Sequence, residues 1–260
     1  MATANINGID ISYSVRGTGF PLLLIHGIGL NASQWEAEGF LEKLSRKNKV
    51  IAYDCRGHGN SGKPRSYTLK DHVSDALGLV DFLGIEKFSL LGCSMGSYIA
   101  QAVALDTPER IEKLILVVTK SNGLTSSLKR LMTQHADAFA KLDDKGKSDF
   151  LNGLVFNNHE AMKKYPDFLK SSLTPIEMEA ANTALEGFDF RPQLKRVTAK
   201  SLVVSGKHDG LNPPGEGRMC AEGIANSKFV EMEHSGHVPQ IEEPDLFFKI
   251  VDEFLSETET

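Results

Sequence analysis

At 260 residues the chain is long enough to bury one large core, and a single α/β domain carrying an insertion fits that length. A formal net charge of −5, from 29 basic against 34 acidic side chains with no basic block, argues against a nucleic-acid partner. The longest apolar runs, such as Leu22 to Ile25 and Leu114 to Val118, are far too short to cross a bilayer, so no membrane association is expected. Met1 to Asn5 lacks the charged-then-apolar pattern of a secretory leader, and Cys55, Cys93 and Cys220 have no metal-type spacing. Free thiols in a reducing cytoplasm are the expectation.

In chain order, Ile6 to Val15 alternates around Asn7-Gly8 and predicts an antiparallel hairpin. Pro21 to Ile25 is a continuous apolar strand that runs straight into His26-Gly27-Ile28-Gly29. Ala32 to Leu44 predicts an amphipathic helix through Trp35, Phe40, Leu41 and Leu44. Lys49 to Tyr53 is the next strand, and the glycine-rich loop after it is expected to be tied around His58 by Asp54 and Arg56. Leu69 to Leu83 is helical, Phe88 to Leu91 is a short buried strand, Ser97 to Leu105 a helix rich in small apolar residues, and Leu114 to Val118 another strand.

From about Ser121 to Phe190 the buried β-type runs vanish, and helical segments fall at roughly 125–141, 147–156, 159–171 and 175–186. Strand and helix resume at Ser201 to Val204, Lys228 to Val230 and Asp245 to Leu255. Buried strands alternating with helices predict a mostly parallel sheet covered on both faces. The core is then residues 1–120 and 191–260, and residues 121–190 form a helical insertion.

The chemistry starts at Gly92-Cys93-Ser94-Met95-Gly96, where an apolar run stops and a helical pattern begins. A G-x-S-x-G turn between strand and helix strains the serine backbone and projects its hydroxyl from the sheet, making Ser94 the candidate nucleophile. Gly92 and Gly96 are there because a Cβ at either place would strike the neighbouring strand or helix. Cys93 occupies the variable position, with its thiol expected in the core.

Ligands of open α/β sheets bind beyond the carboxyl ends of the strands. There the amide of Ile28 and the amide of Met95, at a helix start, are candidate donors to a developing oxyanion. His26 is expected to bond loop backbone. His72, His135 and His159 fall on predicted helices and are expected at the surface. A serine nucleophile needs a base and an orienting acid. His234 and His237 both follow a strand, and position alone does not separate them, although Gly236 favours His237. For the acid, Asp209 follows Ser201 to Val204, whereas Thr119-Lys120-Ser121 after Leu114 to Val118 offers no carboxylate. The order Ser94, Asp209, His237 is that of a serine hydrolase on an α/β sheet.

Together the His26-Gly27 loop, Asp54-x-Arg56-Gly57-x-Gly59-x-Ser61, the Gly92 to Gly96 turn and Gly236-His237 leading to Glu243-Pro244 resemble the α/β-hydrolase superfamily, in its branch of small esterases and enol-lactonases. The resemblance spans nearly the whole chain apart from the insertion. It implies an eight-stranded α/β-hydrolase fold, His237 as the base, and the insertion as a cap that chooses the substrate. Phe139, Phe150, Phe156, Phe168, Met132, Met162 and Met178 supply the cap's apolar bulk, some of it expected to line the pocket. The implied reaction is hydrolysis of a small-molecule carboxylic ester, with no metal or organic cofactor. A lactonase, a C–C bond hydrolase or a non-catalytic ligand receptor on the same fold are the alternatives. The serine in place of an aspartate nucleophile argues against dehalogenase or epoxide hydrolase chemistry, and the missing Ser-Gly-Pro-Gly run argues against C–C cleavage.

Overall fold

The computed structural model describes residues 1–165 and 171–257. Strands β1 (Ala2–Ile6), β2 (Ile9–Arg16), β3 (Phe20–Ile25), β4 (Asn48–Tyr53), β5 (Phe88–Cys93), β6 (Ile111–Val117), β7 (Lys200–Gly206) and β8 (Ser227–Met232) form one sheet, in the order β1-β2-β4-β3-β5-β6-β7-β8. Only the β1–β2 and β2–β4 pairings are antiparallel. The hairpin begins earlier than the alternation suggested, at Ala2, and turns through Asn7 (φ 53°) and Gly8 (φ 77°), the two-residue geometry that an Asn-Gly pair favours.

Period-two burial explains the layers. Leu23 and Ile25 of β3, Leu90 of β5 and Leu116 of β6 face one apolar cluster, while Leu22, Leu24, Leu91 and Val117 face another. Each fully buried aliphatic side chain contributes about 1.5–3 kcal/mol, so both faces must be covered. The second face is covered partly by Trp35, Phe40, Leu41 and Leu44. They do not lie on one helix. The stretch Ala32–Gly39 is a 3₁₀ run broken at Ala37 and Glu38, and α1 (Phe40–Ser45) starts only after Gly39 at φ 66°. The apolar pattern was right about burial and wrong about continuity. The first face is covered by α2 (Leu69–Phe82) and α3 (Met95–Asp106).

Between β6 and β7 the chain is helical: α4 (Ser127–Gln134), α5 (Ala136–Phe139), α6 (Asp144–Val155), α7 (His159–Lys164) and α8 (Pro175–Thr183). The predicted 125–141 helix is thus split at His135, and the predicted 159–171 helix stops at Lys164, with Tyr165 and Ser171 not helical and residues 166–170 outside the described ones. The two ends of this excursion are pinned together by Gly123 N–H to Phe188 O (2.7 Å), Gly187 N–H to Gly123 O (2.9 Å) and Phe190 N–H to Ser121 O (2.8 Å).

After β7 come α9 (Pro214–Gly223), then α10 (Pro239–Glu242) and α11 (Pro244–Ser256), which closes the second face. Helix α9 was not legible in a segment so rich in glycine. It exists because tertiary packing overrides propensity: a Cβ at Gly217 would meet the Ser205 hydroxyl and the Phe229 ring, so only glycine lets the helix lie this close to β7 and β8.

The loop after β4 departs from expectation. Asp54 does tie it, accepting from Ala32 N–H (2.8 Å) and Asn60 N–H (2.8 Å). Arg56 instead reaches α2, where Nε and Nη2 each donate at 2.6 Å to the buried Asp75 carboxylate. His72 is not at the surface but fully buried, edge-on to Tyr67 with ring centroids 5.2 Å apart. It joins buried His26 and His58, whose rings are also 5.2 Å apart. Burial holds all three imidazoles neutral: the pKa values of His26 and His58 are lowered and that of His72 falls to about 3.

Two stability predictions follow from these contacts. Removing one partner of a buried ion pair leaves an uncompensated charge, so Asp75→Ala is expected to cost about 3 kcal/mol in urea unfolding. Asp71, 3.7 Å from Arg56 Nη1, keeps the loss near that lower end; a loss under about 0.5 kcal/mol contradicts the account. The histidines set the second. Their folded pKa values lie below those of the unfolded chain, so their contribution is complete above about pH 7, begins to fall below about 6.5 and is lost progressively as pH drops toward the folded values, about 3 for His72. Between pH 6.5 and 5 unfolding is expected to take up about two or more protons, each worth about 1.4 kcal/mol per pH unit. Unfolding free energy that stays flat from pH 7.5 to 5 contradicts it.

Candidate active site

The turn from β5 into α3 places Ser94 at φ 51°, ψ −116°, a conformation L-residues rarely hold. Glycines on either side permit it. A Cβ on Gly92 would strike the backbone of Gly96, and one on Gly96 would strike the carbonyl of Ile25 in β3. The Ser94 N–H is held by Val117 O (3.0 Å), so the residue is anchored to β6 while its hydroxyl leaves the sheet. The adjacent Cys93 side chain goes the other way, into the core, where burial raises the thiol pKa to about 12. It offers no thiolate near neutral pH.

Two loops bring the remaining groups to that hydroxyl. Ser94 Oγ donates to His237 Nε2 (2.9 Å), and His237 Nδ1–H donates to Asp209 Oδ2 (2.8 Å). Nδ1 carries the proton because its partner is a carboxylate. The other Asp209 oxygen accepts from the N–H groups of Leu211 (2.8 Å) and Asn212 (2.9 Å), which fix the carboxylate plane. His234 is exposed, its backbone tied to Glu243 and Asn157 and its imidazole away from Ser94. Of the two histidines that position alone does not separate, it is His237 that lies within hydrogen-bond reach of both Ser94 and Asp209.

Ile28 and Met95 line the same cavity as Ser94 and His237. Met95 opens α3, where first-turn N–H groups have no acceptor inside the helix. The loop carrying Ile28 is held from three directions. Gly27 N–H donates to Gln34 Oε1 (2.9 Å), His26 Nδ1–H donates to Gly27 O (2.7 Å), and His26 Nε2 accepts from Cys55 N–H (2.9 Å). His26 thus does the backbone bonding expected of it.

One anchor escaped the sequence reading. Glu242 Oε1 accepts from Gly236 N–H (2.7 Å) and Val238 N–H (3.4 Å), on either side of His237. Its Oε2 accepts from Asn157 N–H and Asn158 N–H (both 2.7 Å), just beyond α6. Burial pushes this carboxyl upward in pKa against the pull of those amides. The clamp is the residue just before the Glu243-Pro244 motif, and its only signal in the sequence is the doubled glutamate. Helix α6 also joins the site directly, through His237 N–H to Val155 O (2.6 Å) and Gly210 N–H to Leu154 O (3.0 Å).

The cavity measures about 370 Å³, with walls chiefly of Ile28, Leu151, Val155, Met178, Leu185 and Leu211. Of the apolar residues expected over the site, Met178 reaches it. Phe156 packs with Val155 and Ala161, Met162 against the same cluster, and Phe139 against Phe150 with ring centroids 5.2 Å apart. Met132 is exposed, and Phe168 lies outside the described residues. Among the described residues no group of three or more His, Cys, Asp or Glu side chains could hold a metal ion, and no helix is long and apolar enough to cross a membrane.

Comparison with known proteins places the chain in a family. The pimeloyl-[acyl-carrier protein] methyl ester esterase of Nitrosomonas europaea is 25% identical over 264 residues, 94% of this chain and 98% of its own. The 2-hydroxymuconate semialdehyde hydrolase of Pseudomonas putida is 28% identical over 255 residues, 94% of this chain and 90% of its own. The crystal structure of the enol-lactonase from Burkholderia xenovorans is similar with a TM-score of 0.83 at 28% identity, covering 98% of this chain and all of that one. The family model of the α/β hydrolase fold matches residues 21–244, and the chain belongs to that family.

Proposed function

We propose that the protein is a serine hydrolase that cleaves carboxylic esters of small, largely apolar substrates through an acyl-enzyme intermediate. The observation that carries this reading is the unbroken hydrogen-bond chain from Asp209 through His237 to Ser94, ending on a strained serine at the floor of an apolar cavity. As Ser94 Oγ attacks the ester carbonyl carbon, His237 Nε2 takes its proton, and the carbonyl electron pair moves onto oxygen. The amides of Ile28 and Met95 stabilise that oxyanion; one such donor is worth about 2.7–4 kcal/mol. Collapse of the intermediate breaks the bond to the alcohol, which leaves with the proton from His237. Water then gives its proton to the same imidazole and attacks the acyl carbon; the bond to Ser94 Oγ breaks, the imidazolium returns its proton to that oxygen, and the acid is freed. Asp209 stays ionised throughout and stabilises the imidazolium.

Residues 121–190 act in this reading as a cap whose Leu151, Val155, Met178 and Leu185 roof the cavity and select the substrate. A lactone is the second candidate substrate. Likeness to an enol-lactonase structure over the full chain favours it, and the same residues would open a ring instead of expelling an alcohol. Three buried, unpaired thiols support a reducing, cytoplasmic setting.

The test is steady-state hydrolysis of aryl esters beside a lactone panel. Ser94→Ala is expected to lower kcat about a millionfold, to the residue left by the oxyanion donors and binding. Asp209→Asn is expected to lower kcat roughly 10⁴-fold while the thermal midpoint barely moves. His237→Ala is expected to be as inactive as Ser94→Ala, and His234→Ala to be unimpaired. An inactive His234→Ala beside a healthy His237→Ala, or full activity in Ser94→Ala, contradicts the proposal.

A further inference from the structure

Lys120 is out of keeping with the cavity it lines. It stands among apolar walls in the same cavity as Ser94 and His237, only 7% exposed, with Nζ 5.7 Å from the Tyr98 ring centroid. Its ammonium donates to Thr125 O at 2.9 Å. A backbone carbonyl needs one neutral donor, whereas an ammonium brings three N–H groups and a charge. Among the described residues no carboxylate forms an ion pair with it; Glu216 attracts from farther away, and Arg130 repels. Burial accordingly lowers the pKa of the group below the ordinary lysine value.

The base of this side chain is fixed. Val118 leaves β6 at φ 47°, rare for a β-branched residue, and its carbonyl accepts from Asn212 Nδ2 at 2.7 Å. Gln101 of α3 then donates from Nε2 to Thr119 Oγ1 (2.8 Å) and Lys120 O (3.0 Å), and accepts from Ser121 Oγ (3.0 Å). A charged group held on a locked backbone, partly desolvated and short of counter-charge, is the form of a binding group awaiting an anion.

We propose that the ester or lactone taken by this site carries a carboxylate, and that Lys120 is the residue that binds it. The inference rests on the hydrolytic reading above and deepens it: the apolar walls take the body of the substrate, the cation one end. A single ammonium in a cavity of about 370 Å³ suits a monoanion better than a doubly charged phosphate.

The experiment uses two matched pairs: 4-nitrophenyl glutarate against its methyl ester, and 4-acetoxybenzoate against its methyl ester. They place the carboxylate on the acyl and alcohol sides in turn. Wild type is expected to prefer the acid in at least one pair by about tenfold or more in kcat/KM. Lys120→Gln, which keeps a donor for Thr125, is expected to lose that preference, mostly in KM, with the neutral esters within about threefold of wild type. Lys120→Arg is expected to restore part of it, and Lys120→Met serves as the uncharged variant if the glutamine protein unfolds. Equal rates for acid and methyl ester in wild type, or an equal fall for both in Lys120→Gln, overturns the inference and leaves the hydrolase reading standing. Calorimetry with monomethyl glutarate separates the two claims. If no ester is turned over, the hydrolytic reading fails; binding to wild type that is lost in Lys120→Gln still supports the anion site, and absent binding overturns it.

Discussion

The fold turns on one residue's backbone. Ser94 sits in a conformation that costs about 1–3 kcal/mol, and the strain persists only because its surroundings leave no alternative. Gly92 lies against the start of α3, Gly96 lies against the end of β3, and the serine amide is bound to β6. Three strands and a helix therefore have to be in register before the hydroxyl can stand clear of the sheet. What faces it, His237 and Asp209, comes from loops beyond β8 and β7, far away in sequence. The doubly covered sheet is the rigid frame that brings these loops to one end.

The roof and the chemistry are mechanically joined. The last turn of α6 bonds through Leu154 to the loop carrying Asp209 and through Val155 to His237 itself, while Glu242 spans from His237's neighbours to Asn157 and Asn158. Leu151 and Val155 of α6 also line the cavity, so under the proposed function the helix that touches the substrate is bonded to the loops carrying the proposed acid and base.

Much of this was legible in the residues. Continuous apolar runs gave the central strands, because a strand buried on both faces needs no alternation. The glycine spacing around Ser94 and the absence of a carboxylate after Val118 pointed to the serine and to Asp209. What was not legible shares one cause: it is decided by neighbours remote in sequence. The break at Ala37–Glu38, the helix α9 built around Gly217, the burial of His72 beneath Tyr67 and the reach of Arg56 to Asp75 each depend on a partner that no local pattern names. The placement of His237, and not His234, beside Asp209 and Ser94 is of the same kind, since both histidines sit in one short loop.

Under the proposed function the hydroxyl of Ser94 is a nucleophile activated by His237 and Asp209, and labelling the native protein with a fluorophosphonate, with the adduct located by peptide mass, tests this. A single stoichiometric adduct is expected on the peptide containing Ser94, formed rapidly in the native protein and abolished by unfolding it first. No adduct, or an adduct on another serine with Ser94 left unmodified, would contradict it.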